Sequence, residues 1–530
     1  MSARSPYRGR SYWWGSVVCS PESAGVPDRF GPITVLAAAC LPTVAAAQHF
    51  SLARDPSNTA TVTIREAPAF DFDMPAWIFP ASDPTVAEDV RFVGQSSAVA
   101  DGWRVFAISS QNASAPARLW AIDAGAGLEC WRADLPNLPL DSWSSPAIDR
   151  ETAAVYVAAG APGSARGEVI AFDVATGAER WRFELDKDVV NASPTITRDL
   201  GRADRLFITD YEGFYAGGAG GSLYAINIDP FDEFANPFEP GELVWRAPLN
   251  HAMSGATPAY ADGRVVVSTS GNLQSRGGRV VCFDASADGS ANPMLWDTAA
   301  ADDDAFFGGV TIRDGAVYAA TYDFNGGRDS ARLVKLALAT GEVVWTTPCN
   351  RTTSIPVALP DGRVLLSGGI FGFGSAPSIQ VFEDNGSEAS LVYDSVDAGE
   401  TVGGWTNQPL VVTAEGVTTA YAGVLASGGL FPGYTELVAI DLSGSTPTVV
   451  SRAPGAGASP AMGTEAIYSI GPNGLFAYGR TDGPSACEGV FFVIDRLGEL
   501  ALDSAVAGEI ATDLIAEASN ATPCEEGGQR

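Results

Sequence analysis

Apolar and polar residues alternate along most of this chain in short runs, and the same order of runs recurs. The clearest unit reads SSPAIDRETAAVYVAAG (144–160) and GEVIAFDVATGAERW (167–181). Alternation with a period of two is typical of β-strands, and the Gly, Pro, Asp and Thr-Gly steps between the runs are typical of turns. The pattern predicts four short antiparallel strands in each unit, the last of which ends at a tryptophan.

Further copies of this unit fill the chain from residue 75 to about residue 480. Clear copies lie at 96–131, 192–245, 256–296 and 310–345, and less regular copies at 356–394, 407–450 and 458–479. Tryptophans recur about every 50 residues, the length of one propeller blade, at positions 77, 131, 181, 245, 296 and 345. A four-stranded sheet this short cannot bury both of its faces alone, so the units are expected to stack radially. The sequence therefore predicts an all-β fold, a β-propeller of four-stranded antiparallel blades.

The number of blades follows from the two ends of the repeat region. The final copy at 458–479 lacks an outer strand, whereas PAWIF (75–79) is an outer strand without a unit of its own. If Trp77 completes the final blade, the ring closes and two open sheet edges disappear. This arrangement predicts eight blades closed by an N-terminal strand. A seven-bladed ring is the alternative, because VFFVID (490–495) could serve as an outer strand.

The region before the repeats resembles an export signal. The apolar run Ile33–Ala47 is shorter than the ~20 residues of a membrane span and ends in three alanines, the small-residue pattern of a secretory cleavage site. We expect an exported protein, periplasmic or extracellular, whose mature chain begins at Gln48. Lipid attachment at Cys40 is an alternative, although Ala37 stands where Leu is usual. The polar stretch ahead of the run favours a start codon further downstream.

These observations divide the chain into four parts. They are a signal or targeting segment (1–47), an N-terminal extension (48–74), the propeller (75–480) and a C-terminal tail (481–530). The tail is predicted to hold one more strand and a helix, because its apolar residues approach helical spacing. No later run is long and apolar enough for a transmembrane segment. Cys487 and Cys524 bracket the tail and are candidates for a disulfide in an exported protein.

Charge and metal-ligand content exclude several classes of partner. The chain carries 63 acidic against 32 basic residues, a net charge of −31, so nucleic acid and anionic membrane surfaces would be repelled. It has no CxxC or HExxH motif and only two histidines, His49 and His251, so we expect no metal site. The acidic stretches Asp302–Asp304 and Asp229–Glu233 lack the ligand spacing of a calcium loop and are interpreted as solvated loops.

One motif within the repeats carries a family resemblance. The third strand and the following turn read AIDAGAGLECW, AFDVATGAERW and KLALATGEVVW. They resemble the A-x-D-x-x-T-G-x-x-x-W signature of the pyrroloquinoline quinone (PQQ) repeat superfamily, which includes quinoprotein alcohol dehydrogenases and an outer-membrane assembly lipoprotein. The resemblance covers about 75–480 and implies the propeller fold rather than an activity. It also implies that the Trp rings dock between adjacent blades, and we expect Asp123, Asp173 and Asp284 to cap turns.

The dehydrogenases of that superfamily have a pair of adjacent cysteines over the cofactor, a calcium ion and an aspartate base. This chain has no adjacent cysteines and no CxxCH haem motif. We therefore predict no catalytic, cofactor-binding or metal-binding residue and expect no cofactor. PQQ and calcium belong to the alternative, a divergent quinoprotein oxidoreductase of the alcohol or sugar dehydrogenase type. Under it, Arg276 and Arg328 are the candidates for binding the carboxylates of the quinone, because Lys335 falls in a third strand away from the axis.

A binding surface is predicted at one rim of the ring. The loops from strand two to strand three share this rim with those that lead to the next blade, and they are rich in glycine and aromatic residues. The candidate residues are Trp143, Tyr211, Phe214, Tyr215, Phe324, Arg328, Phe371, Phe373, Trp405, Phe431 and Tyr434. Packing of these rings within their own loops is the alternative. We predict an exported, non-catalytic binding or scaffold module whose partner is a protein, a glycan or another small molecule.

Overall fold

A computed structural model describes the propeller and the segment before it. The described residues are 50–64, 74–112, 115–136, 144–160, 166–189, 191–200, 203–211, 220–249, 256–271, 277–301, 304–323, 326–372, 374–428, 433–464 and 466–479. The predicted signal segment, the C-terminal tail and the suspected Cys487–Cys524 disulfide lie outside them. Within these ranges no helix is long and apolar enough to cross a membrane.

Eight separate sheets form the ring, so the eight-bladed prediction is confirmed and the seven-bladed alternative is wrong. The strands β1 (Thr61–Ile64) and β2 (Trp77–Phe79) precede the first blade. Blade 1 contains β3 (Val99–Ala100), β4 (Arg104–Ser109), β5 (Arg118–Asp123) and β6 (Glu129–Asp134). Blade 2 contains β7 (Ala147–Asp149), β8 (Ala154–Ala159), β9 (Glu168–Asp173) and β10 (Glu179–Glu184).

Blades 3 to 5 follow the same order from the axis outward. Blade 3 contains β11 (Thr195–Ile196), β12 (Arg205–Thr209), β13 (Ser222–Asn227) and β14 (Leu243–Pro248). Blade 4 contains β15 (Ala259–Ala261), β16 (Arg264–Thr269), β17 (Arg279–Asp284) and β18 (Met294–Ala299). Blade 5 contains β19 (Thr311–Arg313), β20 (Ala316–Ala320), β21 (Ala331–Ala337) and β22 (Val343–Cys349).

The last three blades complete the ring. Blade 6 contains β23 (Val357–Ala358), β24 (Arg363–Gly368), β25 (Ser378–Asp384) and β26 (Ala389–Asp394). Blade 7 contains β27 (Leu410–Ala414), β28 (Val417–Leu425), β29 (Tyr434–Asp441) and β30 (Thr448–Pro454). Blade 8 contains β31 (Ala461–Met462), β32 (Ala466–Gly471) and β33 (Gly474–Gly479), and β2 pairs with β33 as its outer strand, with Trp77 opposite Ala477. The predicted closure by the N-terminal strand is confirmed.

The repeated tryptophans dock between neighbouring blades, as predicted. The indole Nε1 of Trp131 in blade 1 donates a hydrogen bond to the carbonyl of Val174 in blade 2, at 3.0 Å. The ring lies against Gly177, where φ is +71° and an added Cβ would come within 2.5 Å of it. The same contact joins Trp77 to Gly127, Trp181 to Gly241 and Trp296 to Gly341. Glycine therefore serves both the turn conformation and the approach of the ring.

The motif aspartates cap turns, which confirms the prediction for them. The Oδ1 of Asp123 accepts hydrogen bonds from the backbone N–H groups of the two residues at 125 and 126. Asp173 does the same for 175 and 176, and Asp284 accepts from the N–H of Ser286. A side chain that satisfies its own turn in this way stabilises the step from strand three to strand four.

A ring of hydrogen bonds surrounds the axis at the start of the first strands. The backbone N–H of Ser97 donates to Ser145 Oγ at 2.8 Å, that of Ser145 to Ser193 Oγ at 2.9 Å, and that of Ser193 to Thr257 Oγ1 at 3.1 Å. Each bond joins one blade to the next. Gly309 holds the equivalent position in blade 5 and has no side chain to continue the series.

Residues 50–64, which we call the crossing segment, reach across the ring. The carbonyl of Phe50 accepts from Ile148 in blade 2, and that of Pro56 accepts from Tyr260 in blade 4. Further along, the carbonyl of Ser57 accepts from Ile312 in blade 5, and β1 then pairs in parallel with β27 of blade 7. These partners all belong to first strands, so the crossing segment lies inside the ring and ties distant blades together.

Asn58 of the crossing segment bridges blades 4 and 5 beside Gly309. Its side chain is buried, and its Nδ2 donates to the carbonyls of Pro258 at 2.9 Å and Val310 at 3.0 Å. Its φ of +56° is one that asparagine tolerates better than most residues. The amide thereby makes the inter-blade link that the glycine cannot supply.

We expect Asn58→Ala to lower the free energy of unfolding by about 2 kcal/mol, because the buried carbonyl of Val310 would lose its donor and alanine strains the positive φ. Urea unfolding followed by far-UV circular dichroism measures this. The exposed Asn473 provides the control, and Asn473→Ala should change stability by no more than about 0.5 kcal/mol. Equal effects of the two substitutions would contradict a bridging role for Asn58.

Candidate functional site

Three of the predicted rim aromatics lie together, packed inward. Tyr211, Trp405 and Tyr434 belong to one hydrophobic cluster and are 2%, 8% and 1% exposed. The Trp405 ring lies 5.7 Å from that of Tyr322, and the Tyr434 hydroxyl shares a 2.9 Å hydrogen bond with Thr406. Phe371 is partly exposed. Tyr211, Trp405 and Tyr434 therefore pack beneath the rim loops rather than on their surface.

The remaining aromatic candidates lie outside the described residues: Trp143, Phe214, Tyr215, Phe324, Phe373 and Phe431. The use of the rim as a binding surface stays a prediction.

Arg328, the one cationic member of the predicted rim, is held by carboxylates of blade 6. Its Nη1 and Nη2 donate to the two oxygens of Asp397 at 2.8 and 2.6 Å, and its Nε lies 3.0 Å from Asp394 Oδ2. The hydrogen bonds with Asp397 raise the pKa of Arg328 above its ordinary value despite some burial. Two carboxylates already neutralise this guanidinium, so it is poorly suited to bind the acid groups of a quinone.

The sequence did not single out Arg351, a charged residue beneath the same rim. Its side chain is fully buried, its Nη1 donates to the carbonyl of Asp323 at 3.1 Å, and its guanidinium lies 5.8 Å from the centre of the Tyr322 ring. Burial lowers the pKa of Arg351. The only sequence signal was an arginine between a fourth strand and the next first strand, which says nothing about burial.

A second buried polar cluster lies in blade 3. Asp210 accepts hydrogen bonds from the N–H of Ser222 at 2.6 Å and from the hydroxyl of Tyr224 at 2.7 Å. Burial raises the pKa of Asp210, although these hydrogen bonds oppose the shift. The carboxyl is satisfied from two sides by its own blade, which is the pattern of a structural hydrogen-bond network.

Among the described residues, a small cavity lies at the ring axis. It measures about 40 Å³ and is lined by Leu52 of the crossing segment and by residues that precede first strands, among them Gln95, Asn191, Thr257 and Gln408. None of its lining side chains is charged. A water needs roughly 10–15 Å³ of such space, whereas pockets that enclose drug-sized ligands measure about 300–1,000 Å³. This cavity can therefore hold a few waters.

The described residues do not fit a quinone with its calcium ion. The axial cavity is too small for a planar tricyclic molecule, and Arg328 is paired. In the described ranges no group of three or more His, Cys, Asp or Glu side chains could hold a metal. The described cysteines, Cys130, Cys282 and Cys349, are all free thiols. The other candidate, Arg276, lies outside the described residues.

Comparisons with known proteins agree with the fold. A PQQ-repeat family model described as outer membrane protein assembly factor BamB matches residues 116–230. A quinohemoprotein alcohol dehydrogenase from Comamonas testosteroni superposes with a TM-score of 0.54 at 13% identity, covering 83% of this chain and 81% of that one. A europium-containing methanol dehydrogenase gives 0.52 at 11% identity, covering 80% and 90%.

BamB from Moraxella catarrhalis gives a TM-score of 0.49 at 16% identity, covering 74% of this chain and 96% of that one. No curated protein sequence matches the chain. The predicted resemblance to the PQQ-repeat superfamily is confirmed by the family model and the two dehydrogenase folds. Identities this low show a shared scaffold and leave activity to the residues of the site.

Proposed function

We propose that this chain is an exported, non-catalytic propeller of PQQ-like repeats that acts as a binding or scaffold module for a protein partner. The observation that carries the proposal is the filled axis. The crossing segment occupies the inside of the ring, and the cavity beside it measures about 40 Å³. An enzyme that uses a cofactor needs a pocket large enough to enclose it, and the cavity that the described residues leave at the axis is smaller than that.

The chemistry of the described residues supports the same proposal. The ionisable groups described above, whether buried or partly exposed, are tied to partners of their own or the neighbouring blade, as Asp210 is to Tyr224 and Arg328 to Asp397. Groups held in this way stabilise the ring, and nothing about them provides a nucleophile beside a base. The matched family is named for the assembly of outer membrane proteins, and we extend that to this chain as a role in binding protein.

Titration of the purified chain with PQQ and calcium tests the proposal against a quinoprotein oxidoreductase. We expect no change in the visible absorption of the quinone and no reduction of an artificial electron-acceptor dye with alcohols or sugars, because the axial cavity enclosed by the described residues is too small for the ring system. A quinoprotein dehydrogenase reconstituted in parallel provides the positive control. Quinone and calcium that co-purify in stoichiometric amounts, or that restore dehydrogenase activity, would refute the scaffold proposal.

Export is the second part of the proposal and rests on the apolar run Ile33–Ala47 and its terminal alanines. N-terminal sequencing of the product from the cell envelope or the medium should begin at Gln48. Ala47→Asp places a charge at the cleavage site and should leave the precursor uncut. A soluble cytoplasmic product that retains residues 1–47 would contradict export while leaving the binding role intact.

A further inference from the structure

Blade 3 carries an insertion that the other described blades lack, between β13 and β14. The insertion, residues 228–242, contains three phenylalanines and no lysine or arginine. It lies on the rim formed by the turns between strands one and two, opposite the predicted aromatic rim. We call it the phenylalanine loop. Phe238 packs against the blade, with the Arg205 guanidinium 5.8 Å from its ring. It anchors the loop, whereas the other two rings do not.

Phe231 and Phe234 point into solvent. Phe231 is 50% exposed and Phe234 is 94% exposed. A phenylalanine this exposed contributes almost nothing to the core, and it adds apolar surface that a soluble protein usually avoids. Aromatic side chains are enriched among the residues that dominate protein–protein binding. The two rings therefore form an apolar knob that the fold itself does not require.

The loop that presents this knob is held in one conformation. Asp232 Oδ1 accepts hydrogen bonds from the N–H groups of Phe234 and Ala235, both at 3.0 Å. The backbones of Asp232 and Asn236 exchange two hydrogen bonds of 2.8 and 2.9 Å. The buried Asn227 amide in β13 ties both ends of the loop, donating to the carbonyls of Asp229 and Phe238. Binding through Phe234 would thus lose little backbone entropy.

The negative charge of the loop that carries Phe231 and Phe234 indicates the kind of partner that these rings would bind. Asp232, Glu233, Glu239 and Glu242 belong to the same loop as the phenylalanines. A partner is favoured when lysine or arginine side chains rim the pocket that receives the rings. Anionic lipid is disfavoured, because the same carboxylates would meet a negative surface as the rings inserted.

An apolar cleft lies on the same rim as the phenylalanine loop. It measures about 220 Å³ and is lined by Phe50, Ser51, Pro56, Ile148 and Ile196 together with the charged residues Arg150, Glu151 and Arg198. Arg198 lies 3.8 Å from Asp204, whose N–H donates to Asp229 at the start of the phenylalanine loop. The cleft, which includes residues of the turns between strands one and two in blades 2 and 3, therefore lies on the same rim of the ring as the phenylalanine loop.

We infer that the phenylalanine loop and this cleft form the docking surface for a protein partner, which receives Phe231 and Phe234 in an apolar pocket rimmed by basic side chains. The inference deepens the proposed binding role and rests on it.

Site-specific photo-crosslinking in the full chain tests the inference. A photoreactive phenylalanine analogue replaces Phe234 in cells of the source organism, and the crosslinked peptide is identified by mass spectrometry. The same analogue at Val450, which is 58% exposed on the outer strand of blade 7, provides the matched control. We expect an adduct from position 234 to one protein, at residues beside lysine or arginine, and none from position 450.

The crosslinked protein, once purified, then serves as the ligand. Its Kd for the chain should rise at least about tenfold in the double variant Phe231→Ala/Phe234→Ala. Its binding to the unsubstituted chain should weaken as the salt concentration is raised, because salt screens the attraction between the acidic loop and the basic pocket. Val450→Ala should leave the Kd unchanged. Thermal unfolding should be the same in all three proteins, because the replaced side chains are exposed.

Four results would overturn the inference. They are an adduct to a second copy of this chain, equal adducts at positions 234 and 450, an unchanged Kd in the double variant, and Phe234-dependent binding to phosphatidylethanolamine–phosphatidylglycerol vesicles. Failure of the scaffold role itself would appear in the quinone titration.

Discussion

Trp131→Ala should lower the free energy of unfolding by about 4 kcal/mol, the range found for a large aromatic side chain removed from a core. The indole is 8% exposed and fills the space between blades 1 and 2. It contacts Phe106 at a centroid distance of 5.8 Å and donates a hydrogen bond to Val174. Alanine removes the packing and the donor together. Urea unfolding at neutral pH, followed by far-UV circular dichroism, measures the loss.

Two further variants separate packing from hydrogen bonding at this contact. Trp131→Phe keeps an aromatic ring against Gly177 and removes the donor, so its effect should be about 1–2 kcal/mol. Gly177→Ala forces a Cβ into the ring, and this clash disappears once the ring is gone. Combined with Trp131→Ala, it should therefore cost at least about 0.5 kcal/mol less than it does alone. Strictly additive effects would show that the ring does not pack on the turn.

The fold could be predicted because each blade repeats the same local information. Alternating runs specify the strands, the Thr-Gly turn specifies the step to the outer strand, and the tryptophan marks where that strand meets the next blade. Closure was predictable for the same reason: PAWIF had no unit of its own and the final copy lacked an outer strand. These patterns lie within short stretches of sequence, so they can be recognised without knowing which distant residues are in contact.

The crossing segment could not be predicted in the same way. Asn58 donates to the carbonyl of Val310, which is 252 residues away in the chain, and no periodic pattern marks either residue. Gly309 leaves a gap in the series of inter-blade hydrogen bonds around the axis. This gap is visible only when the first strands are compared around the closed ring. The closed axis, on which the functional proposal depends, therefore required coordinates.

Side-chain exposure explains why the sequence predicted a binding surface at one rim, whereas the docking surface inferred from the structure lies at the opposite rim. Aromatic residues in glycine-rich loops resemble a binding rim whether the rings point outward or inward. Tyr434 is 1% exposed, whereas Phe234, which directly follows the stretch Asp229–Glu233 interpreted only as a solvated acidic loop, is 94% exposed. Sequence alone gives the composition of a loop, and exposure depends on which neighbours pack against it.

Blades 5 and 6 are joined by an ion pair whose loss should be almost as damaging as that of Trp131. Lys335 Nζ lies 2.7 Å from Asp384 Oδ2, and the side chains are only 16% and 6% exposed. Lys335 lies in β21, the third strand of its blade, as the sequence predicted. Asp384 also accepts hydrogen bonds from the Tyr318 hydroxyl at 2.9 Å and the Trp345 indole at 3.0 Å.

Asp384→Ala should lower the free energy of unfolding by about 3–4 kcal/mol at neutral pH, because it leaves the largely buried ammonium of Lys335 without its counter-charge and removes the acceptor of three further donors. Glu388→Ala is the control, since Glu388 is exposed in the same hairpin and should contribute no more than about 0.5 kcal/mol. Lys335→Met combined with Asp384→Leu removes both charges and should recover part of the loss.

The same carboxylate makes the stability of the ring depend on pH. Burial of Asp384 opposes its ionisation, but the hydrogen bonds from Lys335, Gly386, Trp345 and Tyr318 outweigh burial and hold its pKa below the ordinary value. A group whose pKa is lower in the folded state stabilises that state fully above its unfolded pKa, about 3.9, and loses the contribution as pH falls through the folded value.

The difference in unfolding free energy between the native chain and Asp384→Ala should therefore be constant from about pH 5 to 8 and shrink below pH 4. Urea unfolding at each pH measures it. A difference that stays constant down to pH 2.5 would show that Asp384 contributes through packing rather than through its charge, and would remove the ion pair as a link between blades 5 and 6.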